Sequence, residues 1–389
     1  MQFKLTQIDP HNCTLDELEK EIFRLKSLKE EYFNLEQSIK IFINSIYGAC
    51  ASPYFIGFNI NVAEAVTLQG QDVAKYASKT IDDYFINIWH LDKELHTALG
   101  ITYANKISAK TTTIYMDTDS VYVTFEHVLK SCDYSGNVTD FIIKIKELRL
   151  NSYLKAKFEE YANKHNTKNI QDLELEKICY SAIMVAKKKY ILDLAWKEPG
   201  LIFKPQEKIR FTGVEIVQGS TPKFARKVLK ELMKMTCEKG KNLLYADVVK
   251  KMKEYKKEYV LQNPDDIAKT MAIGEYEKYV LEDKQIIKLA EKCPMHIRAA
   301  SIYNHKLLNS KWRTKYSLIK TGDKLKFYYA KDESEVFGFL PNNYPYEFAL
   351  PVNYDLQFEK TIVEPFNRIL QVMGFNPIPG NLIYAKSLF

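Results

Sequence analysis

Several things are scarce in this chain of 389 residues, and each scarcity removes a class of protein. The six cysteines (Cys13, Cys50, Cys132, Cys179, Cys237, Cys293) lie far apart and form no CxxC pair, and no Cys/His cluster is spaced for zinc. Reduced structural thiols are therefore expected, not a disulfide framework or a zinc site. With 14 glycines and 13 prolines, the chain is not of low complexity. No apolar run approaches the ~20 residues that span a bilayer, and the polar N-terminus lacks the form of a signal peptide. No internal repeat is found. What remains is a cytoplasmic globular protein with no membrane partner, large enough for two or more subdomains.

Excess positive charge is also missing from most of the chain. Between Ala186 and Leu261 there are 19 Lys/Arg against 9 Asp/Glu, so that segment carries +10 and the remainder −3. One basic segment on a near-neutral body suits a polyanion, nucleic acid first of all; a solvated lysine-rich helix is the plainer alternative.

Among the features present, Thr14-Leu15-Asp16-Glu17 has the form of a capping box. From Leu15 through Leu18, Ile22, Leu25 and Leu28 to Tyr32, Leu35, Ile39, Phe42 and Ile46, apolar residues recur at steps of three and four. The spacing predicts one helix of about 33 residues, roughly 50 Å long. Its apolar seam requires a partner, from a distant part of this chain or from another chain. Lys40, Asn44 and Tyr47 fall at i, i+4 and i+7, on one face, where they could meet the phosphate, sugar and base of a nucleotide. A snorkelling lysine beside a satisfied amide would leave the same pattern.

Asp117 and Asp119 lie between β-prone flanks, Thr111 to Tyr115 and Val121 to Phe125, which predicts a hairpin with Asp-Thr-Asp as its tight turn. Two carboxylates so held could bind a hard divalent cation, or could simply solvate a surface turn. Helices are expected from Val62 to Trp89, behind a sheet, and from Phe141 to Tyr161. Leu173 to Tyr180 alternates as a strand that includes Glu176. Ser181 to Leu194 is β-prone and contains Lys187-Lys188-Lys189-Tyr190. On a strand, Lys188 and Tyr190 would share a face suited to a sugar–phosphate backbone, or would belong to a solvated edge. Gly213 to Val217 reads as a strand. Ser220-Thr221-Pro222-Lys223 reads as an N-cap with proline in the first turn, where a phosphate could sit. Lysine-rich helices follow to about Tyr259, and beyond His296 helix mixes with short strands such as Lys324 to Tyr329.

Together these stretches resemble family B DNA polymerases, and within them the T4-type phage replicative enzymes. Lys40 to Gly48 resembles the fingers motif Kx3NSxYG, Tyr115 to Ser120 the motif YGDTDS, and Lys187 to Tyr190 the motif KKRY. Thr221 to Lys223 has the thumb's TPK form, and Cys293 to Arg298 looks like CPxHIR. The resemblance implies an α+β fold: a palm with an antiparallel sheet backed by helices, a long fingers helix and a mostly helical thumb. It implies partial fingers at 1–52, palm at 53–210, and thumb with a C-terminal tail at 211–389. Asp119 would be a catalytic ligand of Mg2+ in a two-metal site, Asp117 an adjacent catalytic carboxylate, and Glu176 a further carboxylate near the metals. Lys40 and Asn44 would face the dNTP, and Tyr47 would lie under the nascent base pair. Lys187, Lys188, Lys189 and Tyr190, with Thr221 and Lys223, would hold primer–template DNA.

Three departures qualify the match. Met116 stands where the motif has glycine, and Lys189 where it has arginine, which loses planar bidentate phosphate contact. The DxxSLYPS motif with the family's other catalytic aspartate is not found, nor are the first fingers helix and the exonuclease carboxylates. The expectation is thus the C-terminal subunit of a split polymerase, active only with an N-terminal chain that supplies these parts. A non-catalytic primer–template binder, a decayed copy, and a fragment with an upstream exon are the alternatives. Ser387-Leu388-Phe389 is similar to the apolar tails that dock a sliding clamp. A phage-encoded chain would act in the host cytoplasm.

Overall fold

The computed structural model describes residues 13–283, 286–331 and 335–384. The clamp-like tail at Ser387, Leu388 and Phe389 lies outside the described residues. The expected capping box forms: the Glu17 N–H donates to Thr14 Oγ1 at 3.4 Å, and the Thr14 N–H donates back to Glu17 Oε2 at 2.9 Å. Helix α1 (Leu15–Cys50) starts there and runs 36 residues, about 54 Å at 1.5 Å per residue. Ion pairs such as Lys20–Asp16 at 2.7 Å contribute a few tenths of a kcal/mol each. No residue of α1 is buried.

Two compact units make up the chain: Met1–Ser135 with Ser152–Asn169, and Gly136–Asn151 with Ile170–Phe389. In the first unit, helix α2 (Ile60–Asp83) runs on into a π-turn over Tyr84–Ile88. Its buried stripe is small at first (Ala74, Ala77, Ser78) and then bulky (Ile81, Tyr84, Phe85, Trp89). Val66, which periodicity puts on the same face, is 54% exposed. Small residues let α2 lie close to the hairpin of β1 (Thr113–Asp117) and β2 (Ser120–Val123), which follows the short α3 (Lys93–Leu99). At the end of α4 (Glu126–Ser131), Ser131 Oγ accepts from the buried Trp89 indole at 2.9 Å. The Phe141–Tyr161 helix is observed in two pieces joined by a π-turn, α5 (Val138–Ile145) and α6 (Asn151–Lys164). Within the first unit α6 lies along α2, where Tyr76 Oη donates to the Lys157 carbonyl at 3.0 Å.

The second unit holds an antiparallel sheet of β3 (Lys177–Ala186), β4 (Lys189–Lys197), β5 (Leu201–Ile202) and β6 (Ile209–Thr212), with β4 central. Ile191 to Trp196 are all buried, as a central strand requires. Asp193 among them accepts from the Gln206 N–H at 3.0 Å, and burial nonetheless raises its pKa. The strand expected from Leu173 begins only at Lys177, opposite Lys197, the last residue of β4. Glu176 therefore stands just before the strand, not on it. The strand expected at Gly213–Val217 is instead a 3-10 turn over Glu215–Val217. Gly213 causes the change: its φ is +64°, and a Cβ there would lie 2.0 Å from the Lys188 carbonyl oxygen.

Helix α7 (Lys223–Lys239) is capped by Pro222 without a side-chain bond, so Ser220 is not its N-cap. The Thr221 hydroxyl, buried, donates instead to the Glu215 carbonyl at 2.6 Å. Then come α8 (Tyr245–Tyr259), α9 (Pro264–Ile267), β7 (Lys269–Ala272), α10 (Tyr276–Tyr279) and a hairpin of β8 (Val280–Asp283) and β9 (Ile286–Leu289). Helix α11 (Met295–Leu308) packs on a second sheet, in which β10 (Lys324–Tyr329) lies between β7 and β11 (Val336–Phe339). Helices α12 (Tyr354–Phe358), α13 (Glu364–Val372) and α14 (Gly380–Tyr384) complete the unit. One apolar core joins these elements, through residues such as Leu229, Met252, Tyr303, Phe337 and Phe366. The mixture of helices with antiparallel sheets is the α+β class expected. Gly213→Ala should lower the stability of the chain by about 2 kcal/mol or more, from positive-φ strain and the carbonyl clash, read as a lower denaturant midpoint.

Candidate active site

The Asp-Thr-Asp turn forms as the sequence predicts. Asp117 closes β1 opposite Ser120, Thr118 takes φ +35°, and Asp119 is exposed at the tip. The Ser120 hydroxyl donates to the Asp117 carbonyl and the Thr118 hydroxyl to the Asp117 carboxylate, both at 3.2 Å. Behind the turn, Tyr115 and Tyr122 pair across the strands with ring centroids 5.5 Å apart. Met116, where the motif has glycine, is 40% exposed and alternates to the face opposite Asp117.

The root of the hairpin is tied to α2 by one carboxylate. Asp82 Oδ1 accepts from the Thr112 N–H at 2.6 Å, the Thr112 hydroxyl at 2.7 Å and the Thr113 N–H at 3.0 Å. Its Oδ2 accepts from the Thr111 hydroxyl at 2.7 Å. Partial burial opposes the charge, but these bonds more than offset it and hold the carboxyl below its ordinary pKa. Nothing in the sequence marks Asp82; an acidic pair at the end of a helix is commonplace.

The nucleotide-facing residues expected on α1 are all exposed: Lys40, Asn44 and Tyr47 occupy one face of its last turns. The second unit carries the rest. Glu176 is exposed and pairs with Lys177 at 2.5 Å. Lys187 and Lys188 form the two-residue turn between β3 and β4, with Lys188 at φ +61°, so Lys188 and Tyr190 do not share a strand face as expected. A tight turn leaves only Lys189 and Tyr190 on β4, where Tyr190 sits between Met184 and Thr212. Lys189 approaches Glu215 at 3.8 Å, and Glu215 also holds Arg368 at 2.7 Å.

A further basic feature lies mostly outside the motifs. Lys223, Lys227, Lys230 and Lys234 are all exposed at i, i+4, i+7 and i+11 along α7. They form one stripe about 16 Å long, with no ion-pair partner among the described residues. The spacing was legible in the sequence, but only Lys223 falls within a motif.

Asp117 and Asp119 offer hard oxygen donors, the chemistry Mg2+ prefers. Among the described residues, no three His, Cys, Asp or Glu side chains gather to hold a metal ion. The donor set thus fits such an ion in kind and supplies part of a cage. Among the same residues, no helix is long and apolar enough to cross a membrane.

Comparison with known proteins supports the family resemblance. The DNA polymerase family B model matches residues 24–373. The DNA-directed DNA polymerase of Enterobacteria phage T4 is 25% identical over 278 residues, covering 68% of this chain and 28% of the phage protein. That of Escherichia phage RB69 is 24% identical over 315 residues, covering 74% of this chain and 32% of its own length. The DNA polymerase catalytic subunit of human herpesvirus 7 is 27% identical over 214 residues, covering 54% and 17%. The chain therefore spans about three tenths of the phage relatives it matches. With the model extending over nearly the whole sequence, the chain belongs to the family B DNA polymerases and is T4-like at low identity.

Proposed function

We propose that the chain is the C-terminal part of a DNA-directed DNA polymerase, working with an N-terminal polymerase chain that carries the exonuclease and the other catalytic aspartate. The observation that supports this best is the Asp117-Thr118-Asp119 turn, presented at the exposed tip of a hairpin in a chain of this family. In this reading residues 1–52 are fingers, 53–210 palm and 211–389 thumb.

Template-directed dNTP addition is phosphoryl transfer, which depends on positioning and charge neutralisation more than on covalent help from the protein. Asp119 and Asp117 would hold Mg2+, which when bound supplies positive charge at the attacking and leaving oxygens. Lys40 offers its ammonium to the triphosphate and Asn44 its amide beside it, while Tyr47 gives a flat apolar surface to the nascent pair. Lys187 and Lys188, at a turn, and Lys189, Tyr190, Thr221 and Lys223 would line the path of primer–template DNA. Thr221, buried and bonded to Glu215, would act by fixing the start of α7, not by direct contact. The α7 stripe extends the basic track over roughly five base-pair steps at 3.4 Å each. The apolar seam of α1, none of it buried, suits cover by the N-terminal chain. A magnesium-dependent enzyme of this kind would act in the host cytoplasm, and Ser387–Phe389 would reach a sliding clamp.

A non-catalytic primer–template binder is the second reading, and the exposed lysine stripe of α7 favours it equally. Asp119→Ala in the complex of the two chains separates them. Synthesis should fall by more than about 100-fold with DNA affinity unchanged within about threefold; synthesis that survives the substitution would leave only the binder. Replacing Lys227 and Lys230 together by alanine should reduce the magnitude of the slope of log K for duplex DNA against log salt by about 1.8, measured by fluorescence anisotropy. An unchanged slope would remove α7 from the interface.

A further inference from the structure

A two-stranded hairpin is marginally stable on its own. Among the described residues β1 and β2 pair only with each other, so the tip that carries Asp117 and Asp119 takes its rigidity from below. The pairing is irregular close to that root: the register shifts between Thr113 and Tyr115. Beyond such a bulge, a slip of one residue would turn Asp117 to the face now occupied by Met116. The phase of the strand must then be fixed at or before Thr113. Asp82 does this from α2, accepting from Thr111, Thr112 and Thr113 in succession, while Ser78 Oγ on the same helix donates to Thr113 Oγ1 at 3.1 Å. The partner strand is caught in the same knot, since the Thr124 N–H donates to the Thr112 carbonyl at 2.8 Å.

We propose that Asp82 is a positioning residue for the polymerase carboxylates: it sets the register and footing of the hairpin about 13 Å below the Asp117-Thr118-Asp119 turn, without touching metal or substrate. The proposal rests on the polymerase reading for the purpose of the hairpin, and on the Asp82 cluster for its mechanism. Asparagine should substitute well. Its Oδ1 can keep the Thr112 and Thr113 bonds, and its amide can donate to the Thr111 hydroxyl, which then accepts. Alanine loses every bond.

The test uses the full chain with Asp82→Ala, Asp82→Asn, and a Thr111→Val/Thr112→Val double variant that removes two hydroxyl donors but keeps the backbone bonds. In hydrogen exchange on the chain alone, peptides covering 113–123 should exchange at least tenfold faster in the alanine variant and within threefold of wild type in the asparagine variant. Peptides covering 190–196 in the second unit should not change. If Asp82→Ala loses protection throughout the first unit, the valine pair takes its place and should still loosen 113–123 selectively. Unchanged exchange at 113–123 in whichever variant is folded overturns the proposal. In the complex with the N-terminal chain, Asp82→Ala should lower kcat at least tenfold with the KM for dNTP and DNA affinity within threefold, and Asp82→Asn should restore most of it. Equal loss in both variants, or a loss confined to KM, overturns positioning. If the wild-type complex makes no DNA, the polymerase reading fails, and the exchange measurement still decides whether Asp82 holds the turn.

Discussion

The Asp82 carboxylate stands among five donors from three consecutive threonines, and the hairpin beyond them depends on that cluster. The polar knot does what apolar burial cannot do here. Residues on β1 are half-buried or exposed, so the strand gains little from the hydrophobic effect. Directional bonds to a charged acceptor are stronger than neutral ones and fix register as well as distance. Below the knot, α2 is held by Tyr84, Phe85 and Trp89, all buried, and by the Trp89–Ser131 bond. Rigidity thus passes from an aromatic core, through one carboxylate, to a pair of carboxylates at an exposed tip.

In the second unit the placement of charge is as selective as its amount. Glu215 lies beside both Lys189 and Arg368, so two cations near the β3–β4 sheet already face a carboxylate. The α7 stripe differs: four lysines project from a helix whose opposite face, with Val228, Leu229 and Leu232, is wholly buried. Burial of one face fixes the direction of the other. The helix therefore presents its lysines as a rigid row, and a polyanion of regular spacing would pay less ordering entropy at that row than at flexible loop lysines.

Features governed by local rules were legible in the sequence. The capping box of Thr14 and Glu17, the length of α1, the Asp-Thr-Asp turn and strand β10 follow from cap chemistry, periodicity and turn residues within a few positions of one another. Where the reading failed, a distant partner decided. Leu173 to Glu176 alternates like a strand, but β4 ends at Lys197 and leaves those residues nothing to pair with. Gly213 to Val217 is β-prone, but Gly213 must pass beneath the Lys188 carbonyl and turns the chain out of the sheet. Ser220 has the chemistry of an N-cap, but the buried Thr221 hydroxyl is drawn to Glu215 and the helix starts later. Asp82 was invisible for the same reason: its donors lie 29 to 31 residues away.

Helix α1 joins two demands that pull against each other. Its seam is apolar and its last turns carry Lys40, Asn44 and Tyr47, yet no residue along its 36 is buried. Helices in proteins draw most of their stability from packing, not from propensity, and solvent-screened ion pairs such as Arg24–Glu21 add little. An uncovered α1 would spend its stability on staying helical and have little left to hold three side chains in line for a nucleotide. Covering the seam changes that balance, because burial of Ile39, Phe42 and Ile46 would fix the rotation of the turns that bear Lys40 and Asn44. Under the proposed function, docking of the N-terminal chain and ordering of the nucleotide face are therefore a single event. By linkage, a nucleotide that prefers the ordered face would in turn tighten the docking by the same factor.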